Sequence, residues 1–344
     1  MICRSRVLDP KEVPDQELIV HRGGHLQDVR VAFQRMAAAE KPSPFMLTGP
    51  PGTGKTLIAR NALRQVAQQE DIRTAYIDCW TDYDDYHLLT EVVDRLNLGV
   101  VHKNSTARGT LVNALHQPAD KARFIILDEL EMVHEAKPIQ ELADAPSLSV
   151  ACIVNDPDEI ADSLSDVWDG VPKGSQRLEF RHYSVSELVE ILSKRAAHGL
   201  SGDPVTERRL EQMAEAAAGD ARLGICILRE AARHAREAGV AQIGETHLSQ
   251  GVETARRKLY QATLERLTTH QQVLYNIVVS QGPLSPGELR KRYRERIDDP
   301  RSRQTVNTYL DKMEHYDLIT VTGRTQARSC QVDTSGYAPP ERIC

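Results

Sequence analysis

The chain is 344 residues long with a net charge of −6; charged residues make up 27% and aromatics 5%. That length holds two or three cores, and so balanced a composition excludes an intrinsically disordered chain. No apolar run approaches membrane-spanning length and the first nine residues lack an apolar stretch, so neither a transmembrane segment nor a secretory signal is expected.

Six cysteines (Cys3, Cys79, Cys152, Cys226, Cys330 and Cys344) are scattered without a C-x-x-C pair. This spacing predicts neither a zinc site nor a disulfide framework and fits a reducing, cytoplasmic setting. Cys79 and Cys152 lie in apolar runs and read as small core residues. Charge is uneven along the chain. Residues 256–344 carry 15 basic against 10 acidic side chains, and the remainder 28 against 39. A basic end on an acidic body suggests nucleic-acid contact in the last third, although the same excess fits an ordinary solvated face.

Residues 1–20 are polar and punctuated by proline, which predicts an extended lead-in. A helical pattern follows His21-Arg22-Gly23-Gly24, carried by Leu26, Val29, Val31, Phe33 and Met36, and ends near Lys41-Pro42. Phe45-Met46-Leu47-Thr48 reads as a strand. Gly49-Pro50-Pro51-Gly52-Thr53-Gly54-Lys55-Thr56 after it is a complete G-x-x-x-x-G-K-S/T loop, opening a helix to about residue 69. Residues 73–78 read as a second strand and 86–98 as a helix, with an exposed acidic loop, Asp82-Tyr83-Asp84-Asp85, between them.

Arg123-Phe124-Ile125-Ile126-Leu127-Asp128-Glu129 stays apolar until its two closing carboxylates, the pattern of a strand buried on both faces of a parallel sheet. Residues 148–154 form another buried strand ending on Asn155-Asp156, and 177–180 a short fifth. Alternating strands and helices over residues 1–180 predict an α/β fold with a parallel sheet. Ser184-Val185-Ser186-Glu187 is a capping box, and helices read on through 204–218, 221–238 and 245–267, predicting a helical domain over 181–265. In residues 266–344 three helices (268–280, one from Ser285, and 301–315) precede a hairpin over 319–333. That order predicts a winged helix-turn-helix, a module that reads DNA or docks proteins.

The glycine loop determines the chemistry. Its glycines let backbone N–H groups turn inward around phosphate oxygens, and the helix behind presents its positive end. Pro51, Gly52, Thr53, Gly54, Lys55, Thr56 and Leu57 are therefore the expected phosphate contacts, with Lys55 between the β- and γ-phosphates. Thr56 and Asp128 are the expected Mg²⁺ ligands. Glu129, one residue further, is placed to polarise the water that attacks the γ-phosphate. Asn155 is a neutral group for that water or phosphate, or a turn-forming residue. Arg222, in Gly219-Asp220-Ala221-Arg222, reaches the nucleotide or is a surface charge. Arg301, Arg303, Gln304, Thr305 and Asn307 crowd the start of the third helix in the last segment, the end that enters a major groove. Arg324 and Arg328 lie on the hairpin, where a wing touches phosphate or minor groove.

The phosphate loop, Leu127-Asp128-Glu129, Asn155-Asp156, Gly219-Asp220-Ala221-Arg222 and a terminal winged helix occur in that order. This order resembles the archaeal AAA+ replication initiators, relatives of the eukaryotic origin recognition and cell division control proteins. The likeness spans nearly the whole chain, and the sensor, GDAR and winged-helix signals together are far more specific than any one alone. It implies an AAA+ core with a helical lid, ATP/ADP binding, recognition of origin double-stranded DNA, recruitment of the replicative helicase, and assembly with paralogous initiator subunits. By the same resemblance His21 and Arg22 fall in the box beside the adenine, Asn155 at sensor 1 and Arg222 at sensor 2. Lys103 and Arg108 fall in a helical insertion over 101–117 that grips DNA. One departure stands out: between Asn155 and Arg177 the chain has no arginine finger, only Lys173. Such a finger stabilises transition-state charge, so slow ATP hydrolysis, or a finger from another subunit, is expected. Two other readings stay open: a nucleotide-gated transcriptional regulator, and an ATPase that loads or remodels a protein through the winged helix.

Overall fold

Five strands, β1 (Phe45–Thr48), β2 (Arg73–Asp78), β3 (Arg123–Asp128), β4 (Leu148–Val154) and β5 (Arg177–Glu179), form one sheet in the computed structural model. Their order is β2-β3-β4-β1-β5 and every pairing is parallel. The structure describes residues 2–10, 12–38, 44–80, 85–102, 105–133, 136–156, 177–322 and 329–332.

β3 and β4 are buried along their whole length, as central strands covered on both faces must be. Helices α1 (Gly23–Ala37), α2 (Lys55–Gln69), α3 (Asp85–Arg95), α4 (Arg108–His116) and α5 (Ala136–Asp144) accompany the sheet. One core joins Leu26, Val29 and Phe33 of α1 to Ile58 and Val66 of α2 and to Leu47, Ile126 and Ile153 of the sheet. The Phe33 ring lies 4.5 Å from that of Phe124 and 6.0 Å from that of Phe45. Each fully buried apolar side chain of this kind contributes about 1.5–3 kcal/mol. Cys79 and Cys152 are buried, and that burial pushes both thiols up.

The order β3-β4-β1 has a direct consequence for placement. β1 delivers the phosphate loop, β3 delivers Asp128, and the end of β4, with Asn155 beyond it, lies between them. Ligands of open α/β sheets bind at these carboxyl ends.

Four further helices follow: α6 (Val185–Gly199), α7 (Glu207–Ala217), α8 (Ala221–Glu237) and α9 (Glu245–Glu265). The first 20 residues are not simply extended. They form 3-10 turns at Ser5–Leu8 and Gln16–Leu18, with Leu8 fully buried against Gly199. The physical reason is Arg195, a buried cation of α6 whose Nη1 donates to the Val7 carbonyl at 2.6 Å. The chain divides into two compact units, residues 1–252 and 253–344.

The second unit holds α10 (Thr269–Gln281), α11 (Pro286–Arg294), α12 (Arg303–His315) and the antiparallel pair β6 (Ile319–Thr322) and β7 (Ser329–Val332). Three of these elements start on polar caps: Thr268 and Ser285 form full capping boxes, and Ser302 accepts the Thr305 N–H. Among the described residues no helix is long and apolar enough to cross a membrane.

The α6 cap carries a pH dependence. Ser184 accepts the Glu187 N–H, and Glu187 accepts both the Ser184 N–H at 2.8 Å and the Arg181 guanidinium at 2.7 Å. The arginine holds the Glu187 carboxyl down at about 2. A lowered carboxyl stabilises the fold fully above its ordinary value near 4.5 and loses that contribution as pH falls through about 2. Glu187→Gln is expected to lower the melting temperature at neutral pH and to flatten its decline between these limits, as read by circular dichroism across pH.

Candidate nucleotide site and nucleic-acid interface

The phosphate loop is built on three left-handed glycines, Gly49 (φ 135°), Gly52 (φ 73°) and Gly54 (φ 93°). At Gly49 the backbone also excludes any side chain, and at Gly52 the Asp220 carboxylate would have to give way. A Cβ on Gly49 would lie 2.0 Å from the Phe180 carbonyl oxygen, and one on Gly52 would lie 2.0 Å from Asp220 Oδ1. The loop thus runs between the segment leaving β5 and the turn that opens α8. Hydrogen bonds reinforce both contacts: Phe180 N–H donates to the Thr48 carbonyl at 2.7 Å, and Ala221 N–H to the Gly52 carbonyl at 3.2 Å. Pro51 is exposed, Thr53 is buried with its hydroxyl on the Pro50 carbonyl, and Leu57 is half-buried on the first turn of α2.

Lys55 is only 6% exposed. Its ammonium donates to the Gly49 carbonyl, to the Pro50 carbonyl at 2.8 Å and to Asn155 Oδ1 at 3.1 Å. Burial lowers its pKa to about 8, while the carboxylates of Asp128 and Glu131 oppose that fall. It is a cation held at the head of a helix, the position from which a lysine grips phosphate.

Asp128 ends β3 and is also buried. Its Oδ2 accepts the hydroxyls of Thr56 and Tyr76, each at 2.7 Å, and its Oδ1 accepts the Glu129 N–H at 3.0 Å. Burial raises its pKa, and the two hydroxyl hydrogen bonds work the other way. Glu129 has φ 55°, a left-handed conformation costing about 1–2 kcal/mol for a residue with a Cβ. Asn155 presents Oδ1 to Lys55 and gives Nδ2 to Glu131 Oε1 at 2.6 Å.

The structure therefore gathers Lys55, Thr56, Asp128, Glu129 and Asn155. Arg222 is half exposed, 3.4 Å from Asp220 Oδ2, and near enough for its charge to depress Lys55 further. His21 has φ 60° and its Nε2 sits 3.0 Å from Glu190 Oε2. Arg22 is 2% exposed. Its Nε donates to the Thr53 carbonyl at 3.2 Å and its Nη2 to the Arg181 carbonyl at 2.6 Å, with the guanidinium 4.1 Å from the Tyr183 ring centroid. It braces the phosphate loop against the segment after β5.

In the second unit Arg301 and Arg303 are exposed, and Thr305 and Asn307 half-buried, on or just before the first turns of α12. Arg301 N–H donates to Tyr293 Oη at 3.0 Å, and Arg290 donates to Asn307 Oδ1 at 3.2 Å. A hollow of about 380 Å³ is lined by Gly287, Arg290, Lys291, Arg294, Glu295 and Arg303. Partial burial, then the charges of Arg303 and Arg294, lower the pKa of Arg290. Such crowded cations are relieved by a polyanion.

Arg108, expected at a DNA grip, opens α4 and is engaged within the protein. It pairs with both oxygens of Asp85 and with Glu141 at 2.6 Å, joining α3, α4 and α5. Lys103, Lys173, Arg324, Arg328 and the Asp82-Tyr83-Asp84 stretch lie outside the described residues. Sequence reading missed Tyr76, Glu131 and Asp220, which act across strands and turns. It also missed the basic row of α11, although the run Arg290-Lys291-Arg292-Tyr293-Arg294 was a visible charge signal.

A parallel five-stranded sheet carrying a glycine loop, a carboxylate pair on the next-but-one strand and helices behind it defines an AAA+ ATPase fold. Residues 39–154 match the model of an AAA domain and 189–253 that of the Cdc6 AAA+ ATPase-type lid domain. ORC1-type DNA replication protein 9 of Halobacterium salinarum is 31% identical over 330 residues, covering 95% of this chain and 93% of its own. ORC1-type DNA replication protein 1 of the same organism is also 31% identical, covering 89% and 99%. The Aeropyrum pernix Orc1 structure in complex with DNA superposes with a TM-score of 0.71 at 21% identity, covering 96% and 93%. The ADP form of Aeropyrum pernix Orc2 gives 0.63 at 19%, covering 99% and 95%. The chain belongs to the ORC1-type DNA replication proteins.

Arg22→Lys tests the brace. A lysine cannot hold two divergent carbonyls and stack on a ring, so a loss of about 2–3 kcal/mol is expected in denaturant unfolding, with an unchanged m-value.

Proposed function

We propose that the protein is an ATP-dependent, DNA-binding initiator of DNA replication that recognises an origin and helps recruit the replicative helicase. The observation that carries this reading is near-full-length likeness to ORC1-type DNA replication proteins at 31% identity, in a chain whose phosphate loop keeps every residue the chemistry requires. Relatives solved with DNA and with ADP support both ligand classes.

In this reading the loop amides and Lys55 hold the β- and γ-phosphates of ATP, and His21 lies on the adenine side. Thr56 and Asp128 offer a hydroxyl and a carboxylate oxygen 2.7 Å apart, hard donors that suit Mg²⁺. Bound there, Mg²⁺ would neutralise charge shared by the β- and γ-phosphates. Among the described residues no cluster of three or more His, Cys, Asp or Glu could hold a metal alone. Glu129 orients the attacking water, and Arg222 reports the γ-phosphate to the helical lid of residues 181–265. Hydrolysis is slow, or completed by a paralogous subunit, because residues 156–176 contain no arginine.

Residues 266–344 act as a winged helix. α12 enters the major groove with Arg301, Arg303, Thr305 and Asn307, and the cationic hollow of α11 lies along phosphates. Arg108 serves the nucleotide-binding domain as an internal clasp.

Two measurements test this. Footprinting on genomic fragments is expected to protect repeats at a replication origin; protection confined to a promoter, or none, contradicts origin recognition. Arg303→Ala is expected to reduce the slope of log affinity against log salt by about 1. An unchanged slope would remove α12 from the interface.

A further inference from the structure

Glu131 stands two residues beyond Glu129, in the 3-10 turn Leu130–Met132, and is 9% exposed. Its Oε1 accepts two hydrogen bonds from one residue: Asn155 Nδ2 at 2.6 Å and the Asn155 backbone N–H at 3.2 Å. On its other side the same amide offers Oδ1 to the Lys55 ammonium at 3.1 Å. Asn155 therefore lies between a carboxylate, which only accepts, and an ammonium, which only donates. Turning the amide over would set its NH₂ against the ammonium and its oxygen against the carboxylate. Two hydrogen bonds would become two repulsions at a half-buried spot where screening is weak. The amide has one orientation here, and Glu131 fixes it.

We propose that Glu131 is a positioning residue of the nucleotide site, holding Asn155 so that its carbonyl oxygen faces the ammonium of Lys55. This rests on the reading of the loop as an ATP site. Lys55 has three N–H donors, so one can stay on Asn155 while the others pass to phosphate oxygens. The third oxygen then aims the ammonium, and a γ-phosphate is felt through a rigid chain from Glu131 through Asn155 to Lys55. The geometry follows from the sheet: Asn155 leaves β4, which lies between β3 on the Glu131 side and β1 on the Lys55 side.

The test is a double-mutant cycle on nucleotide discrimination. Affinities for a non-hydrolysable ATP analogue and for ADP are measured by calorimetry for the wild type, Glu131→Met, Asn155→Ala, both together, and Glu131→Gln. Methionine matches the length of glutamate with only a weakly accepting sulfur in a largely apolar turn, and glutamine keeps an acceptor oxygen. Glu131→Met is expected to lower the ratio of ATP to ADP affinity about fivefold to tenfold, the scale of one buried hydrogen bond. Asn155→Ala should lower it equally, the double variant no further, and Glu131→Gln should retain it. A wild-type ratio in Glu131→Met, or losses that add in the double variant, would overturn the proposal. So would a Glu131→Met protein that loses affinity for both nucleotides equally together with its melting temperature, since that marks a purely structural side chain. Wild-type protein that binds neither nucleotide would overturn the ATP reading itself, a distinct result.

Discussion

Everything around the site answers one constraint: an ammonium buried at the head of α2. Removing a lysine charge from water is costly unless oxygen atoms replace the solvent. Lys55 finds them on Gly49, Pro50 and Asn155, with the carboxylates of Asp128 and Glu131 sustaining its charge. These groups reach it only because the strand order sets the ends of β1, β4 and β3 side by side. They are also the groups a triphosphate would displace or join. The loop is folded around a cation whose protein partners are weaker acceptors than phosphate.

The same loop is held from outside by segments distant in sequence. Phe180 closes on Gly49, Asp220 on Gly52, and Arg22 braces Thr53 to Arg181. Two of these contacts come from the segment between β5 and α6 and one from the cap of α8. The loop is therefore in direct contact with the segments leading into α6 and α8, two of the four helices α6–α9. Asp220 has two duties, capping α8 through the Leu223 N–H at 3.0 Å and pairing with Arg222. In the proposed reading, arriving phosphate would compete with Asp220 for that arginine.

Much of this was legible in the sequence because its signals are local. A glycine loop between a strand and a helix, apolar runs closing on acids, and polar caps before helices are written within eight or so consecutive residues. What was not legible acts across the sheet. Tyr76 pairs in register with Ile126, so its hydroxyl meets Asp128, two residues along the same face, and nothing near Tyr76 in the sequence says so. Glu131 lies just past the Asp128-Glu129 pair, and its contact with Asn155 depends on β4 lying alongside. Arg22 sits in a motif expected beside a base and is used as a brace, because the rings that accept it come from residues 180 and 183. Arg108 reads as available for DNA, yet α3 and α5 bring Asp85 and Glu141 to it. Charge alone does not reveal whether its partner is inside the protein or outside.

The central claim is that Lys55 is held for a phosphate and released by one. The direct measurement is a crystal structure of the protein with Mg²⁺ and a non-hydrolysable ATP analogue. The account predicts the Lys55 ammonium within hydrogen-bonding distance of β- and γ-phosphate oxygens, with the Gly49 and Pro50 carbonyls given up and Asn155 Oδ1 still on its third donor. A bound nucleotide beside a Lys55 that keeps both loop carbonyls and touches no phosphate would contradict it.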